Sequence, residues 1–281
     1  MFQYAAACGL AHEREAHVLM DVSAFESYAL RAYELSRLCL PQDIHTDSSE
    51  HLRNGWALNA PFIRRLMRRG TQREGAYREP HFHFDKNFFA LSGDEITLDG
   101  YFQSPLYFTG CEGVLRERFR PAEPLGTAAQ GWSDHIGASR RSVSLHVRRG
   151  DYVSNPDTAA VHTTLGDGYY RRATELMRRI LGEEVDFFLF SDAPDFVEQA
   201  FADLPRSRVV RTDPARSWED MFLMARCHHH IIANSSYSWW GAWLNPSPDK
   251  IVIAPGQWFT SEKLATTNVM DLYPEGWIIL K

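Results

Sequence analysis

Residues 142–151 read SVSLHVRRGD, a short apolar run that ends abruptly in two arginines, a glycine and an acid. The run predicts a strand over residues 143–147. Downstream, further apolar runs predict strands at 186–190, 209–210, 230–233 and 251–254, with helical patterns at 168–181, 195–201, 218–227 and 239–244 between them. Strands that alternate with helices of this length predict an α/β fold with a parallel sheet of Rossmann type.

The N-terminal half is less regular. A chain of 281 residues is long enough for about two domains. The segment 121–137 holds Pro, Gly, Ala and Ser with few large apolar residues, which favours a linker or domain boundary. We therefore expect an N-terminal domain over 1–137 and a C-terminal domain over 138–281. Upstream patterns predict helices at 2–16 and 60–69 and strands at 17–22 and 81–89.

The composition excludes several classes of protein. Apolar residues make up 44% and charged residues 23% of the chain, which is typical of globular proteins. The net charge of −6 argues against a general nucleic-acid-binding surface. The chain has no long uninterrupted apolar run and no signal-peptide pattern. The four cysteines form no CxxC pair, which favours reduced thiols in a cytoplasmic protein.

The two arginines that follow the strand suit a pyrophosphate group. In a doubly wound sheet, ligands bind at the carboxyl ends of the strands. The guanidinium fork of Arg148 or Arg149 can bind two oxygens at once, and Gly150 lets the backbone approach a ligand closely. The alternative interpretation is a surface turn with an arginine–aspartate pair.

A second turn of the same kind follows the strand predicted at 230–233. Here Asn234, Ser235 and Ser236 precede a helix, and hydroxyl and backbone N–H groups at a helix N-terminus form an anion site. The alternative is ordinary helix capping, which serine and asparagine provide in many proteins. Two such turns in one sheet favour a binding function over coincidence.

Several nucleotide-binding motifs are missing, and their absence narrows the chemistry. The sequence contains no GxxxxGK[ST], no GxGxxG and no Asp-x-Asp. If a diphosphate leaves here, arginine must neutralise it in place of a metal ion. His81, His83 and Asp85 share a predicted strand face and are a possible ligand set, but nothing else in the sequence supports a metal. The basic segment 64–73 is interpreted as a solvated face, with weak contact to anionic lipid as the alternative.

These motifs together resemble the bacterial and animal α-1,2-fucosyltransferases, glycosyltransferase family 11. The resemblance rests on HVRRGDY at 146–152, NSSYSWWGAWLN at 234–245 and the opening MFQYA. DGYFQSPLYF at 99–108 and FLFSD at 188–192 resemble two further segments of the family. No single piece is specific, but the combination is.

The resemblance implies a GT-B fold, with two Rossmann-like domains facing across a cleft, and the N-terminal domain on the acceptor side. It implies transfer of L-fucose from GDP-β-L-fucose to O2 of a terminal galactose-type acceptor, with inversion and without a metal or other cofactor. His146, Arg148, Arg149, Asp192, Asn234, Ser235 and Ser236 would bind the donor. Arg148, Asp151 and His162 would be catalytic, and Asp151, His162 and Asp220 are the candidates for the base. The partners would be the donor and a glycan acceptor, in the cytoplasm or in peripheral contact with the membrane.

The sequence departs from the family pattern at three places. The family has a strand and a Gly-Gly-x-Gly-Asn-Gln loop before MFQYA, so we expect such a segment upstream of Met1 and an N-terminal domain without its first strand here. Ala193 stands where the family often has a second acid, and Leu165 where it has Cys. Two alternatives therefore stay open: another transferase that uses a GDP-sugar, and a truncated glycan-binding protein without activity.

Overall fold

The computed structural model describes residues 1–22, 25, 33–41, 75–150 and 156–281, which divide into two compact units. Unit 1 comprises Met1–Glu123 with Met270–Leu272, and unit 2 comprises Pro124–Val269 with Tyr273–Lys281. The predicted boundary at 137–138 therefore falls inside unit 2.

Unit 1 combines short helices with a small parallel sheet. Its elements are α1 (Phe2–Arg14), β1 (Ala76–Arg78), β2 (Thr97–Asp99) and α2 (Glu112–Arg118), with 3-10 helices at Leu35–Arg37, Phe88–Ala90 and Pro105–Phe108. β1 pairs with β2 in parallel. The helix predicted at 2–16 is confirmed as α1.

Two strand predictions in unit 1 are wrong. Residues 17–22 form no continuous strand. Residues 81–89 bend, because the Asp85 carboxylate accepts the backbone N–H of Asn87 at 3.0 Å and so starts a turn. Phe88 then enters a fully buried aromatic cluster with Phe102 and Tyr107. The helix predicted at 60–69 lies outside the described residues.

Unit 2 is built on one parallel sheet. Its strands are β3 (Ser142–Val147), β4 (Asp186–Ser191), β5 (Ser207–Val209), β6 (His229–Ile231), β7 (Val252–Pro255) and β8 (Ile278–Leu280). Its helices are α3 (Thr127–Ala138), α4 (Pro156–Ala159), α5 (Asp167–Leu181), α6 (Pro194–Ala200), α7 (Glu219–Arg226), α8 (Ser236–Leu244) and α9 (Ser261–Leu264). The predicted parallel α/β sheet is confirmed.

The segment 121–137, predicted as a linker or domain boundary, contains the boundary between the two units at 123–124, but most of it is helix α3 and not a linker. The buried Glu219 carboxylate accepts the backbone N–H of Gly126, the residue before the helix, at 2.7 Å. Ala129 and Ile136 are fully buried on one side of the helix. Tertiary contacts thus stabilise a helix whose composition resembles a loop.

The strand order positions the candidate site. The order is β5-β4-β3-β6-β7-β8, with every pair parallel, so the chain runs outward in both directions from the β3–β6 pair. Such a reversal of strand order is a topological switch point, where the loops after the two central strands separate and leave a crevice for a ligand. Both predicted anion-binding turns follow these two strands.

Candidate functional site

The loop after β3 is fixed by Asp192, which lies just beyond the end of β4. The Arg148 guanidinium binds the Asp192 carboxylate at 2.8 Å, and the other carboxylate oxygen accepts the backbone N–H of Arg149 at 3.0 Å. The strand register explains this meeting, because Val147 lies opposite Ser191. Asp192 therefore holds both the side chain and the backbone of the arginine loop.

Gly150 makes this arrangement possible. A Cβ atom at this position would lie 2.5 Å from the Asp192 carboxylate oxygen, well inside van der Waals contact. The glycine was predicted to let the backbone approach a ligand, and the structure shows that it makes room for Asp192.

The two arginines have different surroundings. The Arg148 side chain is mostly buried beside Asp192. The Arg149 guanidinium stacks over the ring of Phe196 on α6, 3.7 Å from the ring centroid. Arg148 thus stays at the sheet edge, whereas Arg149 packs along the next helix.

His146 lies beneath this loop at the end of β3. Its side chain is buried, and burial lowers its pKa to about 4, with the positive charge of Arg148 acting in the same direction and Asp192 partly offsetting both. His146 is therefore neutral at pH 7. Within the described part of the chain its Nδ1 has no hydrogen-bond partner.

The second turn follows β6 and is held by hydrogen bonds to neighbouring loops. The buried Asn234 amide donates to Thr163 O at 2.8 Å and to Trp258 O at 3.1 Å. These bonds give Asn234 a structural role, and its contact with a donor stays a prediction. The Tyr169 hydroxyl donates to Ile232 O at 2.7 Å and so supports the same turn.

The two serines at the start of α8 differ in exposure. Ser235 is the N-cap, and its hydroxyl accepts the backbone N–H of Tyr237 at 3.3 Å. Ser236, the first helical residue, is exposed. The capping interpretation therefore holds for Ser235, and the donor contacts of both serines stay predictions.

Tyr237 joins the two turns, and the sequence did not identify it. Its ring lies 5.8 Å from the His146 ring, and its hydroxyl donates to Ser217 O. The available signal was its place in the first turn of a helix that follows an anion-binding turn. The structure thus brings Arg148, Asp192, His146 and Tyr237 into one connected set of contacts.

The three candidate bases occupy different places. His162 is half-buried, packs against Phe259 with 5.2 Å between ring centroids, and precedes Thr163, which Asn234 binds. Burial raises the pKa of Asp220 to about 6, and the Thr212 hydroxyl, which donates to its carboxylate at 2.6 Å, partly offsets this rise. Asp151 lies outside the described residues.

Three further histidines, His81, His83 and His230, have structural contacts. The His81 and His83 rings stack face to face, 3.6 Å apart. His230 shares hydrogen bonds with the Ser144 hydroxyl at 2.8 Å and the Asn245 amide at 2.9 Å. Among the described residues, no group of three or more His, Cys, Asp or Glu side chains could hold a metal ion.

A cavity of about 460 Å³ lies near the start of α5, lined in part by Gly166, Arg172 and Gly256. None of the predicted site residues that the structure describes lines it. We place the candidate site at the arginine loop, because the charge and the switch-point geometry are there. In the described parts of both units, no helix is long and apolar enough to cross a bilayer.

A Rossmann-type sheet with an arginine loop and a capped helix N-terminus at its switch point defines an α/β protein whose candidate site offers groups suited to an anion. The profile of glycosyl transferase family 11 matches residues 76–281, and the chain belongs to this family.

Three proteins with matching sequences are informative. The O-antigen biosynthesis glycosyltransferase WbnK of Escherichia coli is 32% identical over 296 residues, which cover 100% of this chain and 96% of WbnK. An alpha-1,2-colitosyltransferase of Escherichia coli is 31% identical over 282 residues, or 99% of this chain and 93% of that protein. A galactoside 2-alpha-L-fucosyltransferase of Caenorhabditis elegans is 24% identical over 182 residues, or 61% and 49%.

Proposed function

We propose that this glycosyltransferase moves L-fucose from GDP-β-L-fucose to O2 of a terminal galactose-type acceptor, with inversion and without a metal ion. The observation that carries the proposal is the meeting of the Arg148 loop and the N-terminus of α8 at the switch point, through the His146–Tyr237 contact. An arginine fork and a helix N-terminus suit the two phosphates of GDP. The family supports glycosyl transfer, and the C. elegans relative supports the sugar and the linkage.

In the proposed reaction, the acceptor O2 attacks the anomeric carbon of fucose while the bond to the β-phosphate oxygen breaks. The electron pair of that bond leaves with GDP, and Arg148 stabilises the charge that grows on the β-phosphate. The acceptor proton passes to a base. His162 and Asp220 are the described candidates, and the Asp220 pKa of about 6 suits a proton acceptor near neutral pH.

A second donor, GDP-activated colitose, is the alternative that the E. coli colitosyltransferase favours. Colitose is fucose without the 3-hydroxyl group. A site that hydrogen-bonds this hydroxyl would discriminate strongly against a sugar that lacks it. The two donors therefore give a sharp comparison.

The test supplies each GDP-sugar with a methyl β-galactoside acceptor and determines the product linkage and anomeric configuration by NMR. We expect an α-1,2-linked fucoside and a higher kcat/KM with GDP-fucose. A preference for GDP-colitose would show that the donor is GDP-colitose and not GDP-fucose, and the proposed transfer to O2 would stand. Glycan binding with neither transfer nor donor hydrolysis would instead establish a binding protein without activity.

A further inference from the structure

The cavity of about 460 Å³ at the start of α5 lies wholly within unit 2. It is lined by residues of three segments, which are 164–172 around the start of α5, 255–257 at the end of β7 and 280–281 at the end of β8. Because β7 and β8 are parallel to β3, they end at the same edge of the sheet as the arginine loop. Ligands bind at this edge of a doubly wound sheet, and small-ligand sites have volumes of about 300–1,000 Å³. The cavity therefore has the place and the size of a second ligand site.

Hydrogen bonds hold the three segments together. The Asn234 amide donates to Thr163 O and to Trp258 O, which adjoin the first and the second segment. The Arg172 guanidinium donates to Lys281 O at 3.2 Å and so joins the first segment to the third. A ligand would therefore meet a cavity that is already formed, and little of its binding free energy would be spent on ordering the chain.

The charged side chains that line the cavity are all positive. Arg172 and Lys281 are both cations, and none of the described lining residues is Asp or Glu. Apart from its bond to Lys281 O, the Arg172 guanidinium has no hydrogen-bond or ion-pair partner among the described residues. The Thr164 hydroxyl and the Gln257 amide also line the cavity and have no such partner in the described part of the chain. Two cations and two neutral polar groups are thus available to a ligand.

Two glycines at the start of α5 have no explanation in the packing of the described residues. A Cβ atom at Gly166, the residue before the helix, would meet nothing within 4 Å. A Cβ atom at Gly168 would meet only the Arg172 guanidinium, at 3.4 Å, and neither glycine has a positive φ. Inside a helix, as at Gly168, glycine is less stable than alanine. A bare backbone does let a ligand approach the N–H groups of the first turn, which no side chain caps.

We propose that this cavity binds a small phosphomonoester of the size of a sugar phosphate. A phosphomonoester carries a charge of about −1.5 to −2 near pH 7, which matches two cations better than the single charge of a carboxylate does. The Arg172 fork can bind two phosphate oxygens at once, while Lys281 and the N-terminus of α5 add positive charge. The Thr164 hydroxyl and the Gln257 amide suit the hydroxyl groups of a sugar. The site is separate from the arginine loop, and the proposal does not depend on which GDP-sugar is the donor.

The test is isothermal titration of the whole chain with glucose 1-phosphate, compared with glucose and with glucuronate. We expect glucose 1-phosphate to bind at least about tenfold more tightly than either of the other two. Arg172→Gln should weaken its binding about tenfold, whereas Arg171→Gln, the same change at the neighbouring residue outside the cavity, should stay within about twofold of the wild type. Arg148→Lys, at the arginine loop, should also leave this affinity within about twofold.

Gly166→Asp separates ligand binding from folding. The new carboxylate has room, caps α5 and repels an anion, so the melting temperature should be equal or higher while glucose 1-phosphate binds at least about tenfold more weakly. Unchanged affinity in both Gly166→Asp and Arg172→Gln would overturn the proposal, as would the absence of binding in the wild type. Equal affinity for glucuronate would show that the site does not select phosphate. A loss in Arg148→Lys with affinity kept in Arg172→Gln would place the phosphate at the arginine loop. No GDP-sugar enters the experiment, so its result is independent of the proposed function.

Discussion

At the scale of single residues, Arg148 and Arg149 are neighbours with different roles. Arg148 is held by Asp192 at the switch point, and Arg149 stacks on Phe196. Lysine keeps the charge but loses the planar fork. We therefore expect Arg148→Lys to lower kcat about 100-fold, near the lower end of the loss seen when a transition-state hydrogen-bond donor is removed. Arg149→Lys should lower kcat less than about fivefold, because the Arg149 guanidinium stacks on Phe196.

The measurement is steady-state kinetics with GDP-fucose for both variants, and the melting temperature serves as the control for folding. Equal losses, or a larger loss in Arg149→Lys, would contradict this assignment of roles.

Asp192 holds the arginine loop through an ion pair with Arg148 and a hydrogen bond from the Arg149 backbone N–H. Two different substitutions at Asp192 can distinguish these contacts. Asp192→Asn keeps an oxygen for the Arg149 backbone N–H but loses the ion pair with Arg148. Asp192→Ala loses both. We expect GDP affinity to decrease from wild type to Asp192→Asn and again to Asp192→Ala, by about tenfold at the second step.

Isothermal titration of GDP measures this order directly. If Asp192→Ala binds GDP as tightly as the wild type, the carboxylate does not position the loop, and its main effect is to neutralise Arg148.

His146 predicts a dependence of stability on pH. Its pKa falls from an ordinary 6.5 to about 4 in the folded protein, so between these values the unfolded chain binds more protons than the folded one. The free energy of unfolding should therefore decrease as the pH falls from about 6.5 to 4, and the shift corresponds to at most about 3 kcal/mol. Asp220, whose pKa is raised, changes stability in the opposite direction in this range.

Comparison of His146→Gln with the wild type separates the two effects. Urea unfolding at pH 7.5 and pH 5 should show a smaller loss of stability in the variant. Equal losses in both proteins would show that His146 does not titrate in this way.

At the scale of elements, the two serines at the N-terminus of α8 differ: Ser235 caps the helix, whereas Ser236 is exposed. Ser235→Ala removes the hydroxyl group that accepts the backbone N–H of Tyr237 and caps the helix. This substitution should lower the free energy of unfolding by about 1 kcal/mol. Ser236→Ala changes an exposed side chain and should lower it by less than about 0.5 kcal/mol, while it weakens GDP binding. Urea denaturation and GDP titration of the two variants test which serine caps the helix and which one contributes to GDP binding. A stability loss in Ser236→Ala as large as in Ser235→Ala would reverse the two roles.

The elements also show what the sequence could predict. Five of the six described strands of unit 2 were predicted, because continuous apolar runs such as 187–190 have few alternatives in an α/β pattern; β8 was not predicted. Helix α3 was not, because its start depends on the contact between Gly126 and Glu219, which are distant in the chain. Asp192 was found as a site residue through the family resemblance. Its pairing with Arg148, in contrast, followed only from the register of β3 and β4.

At the scale of the whole molecule, charge decides how a diphosphate can be bound. The protein carries a net charge of −6, yet the loop at the switch point presents two arginines. The described residues offer no cluster of three metal ligands. Because Asp192 already offsets part of the charge of Arg148, the remaining attraction for phosphate comes from the Arg148 fork together with the N-terminus of α8.

We therefore expect GDP to bind in excess EDTA with an affinity within about twofold of that in Mg²⁺. Higher salt should weaken binding, because mobile ions screen the attraction between arginine and phosphate in a partly open site. Calorimetric titrations in EDTA, in Mg²⁺ and at two salt concentrations test both points, with Arg148→Lys as the variant whose binding should already be weak. If GDP binding disappears in EDTA and returns with Mg²⁺ or Mn²⁺, a metal ion neutralises the diphosphate. Arg148 would then hold the loop together through Asp192 and would not be the group that receives the charge of the leaving GDP.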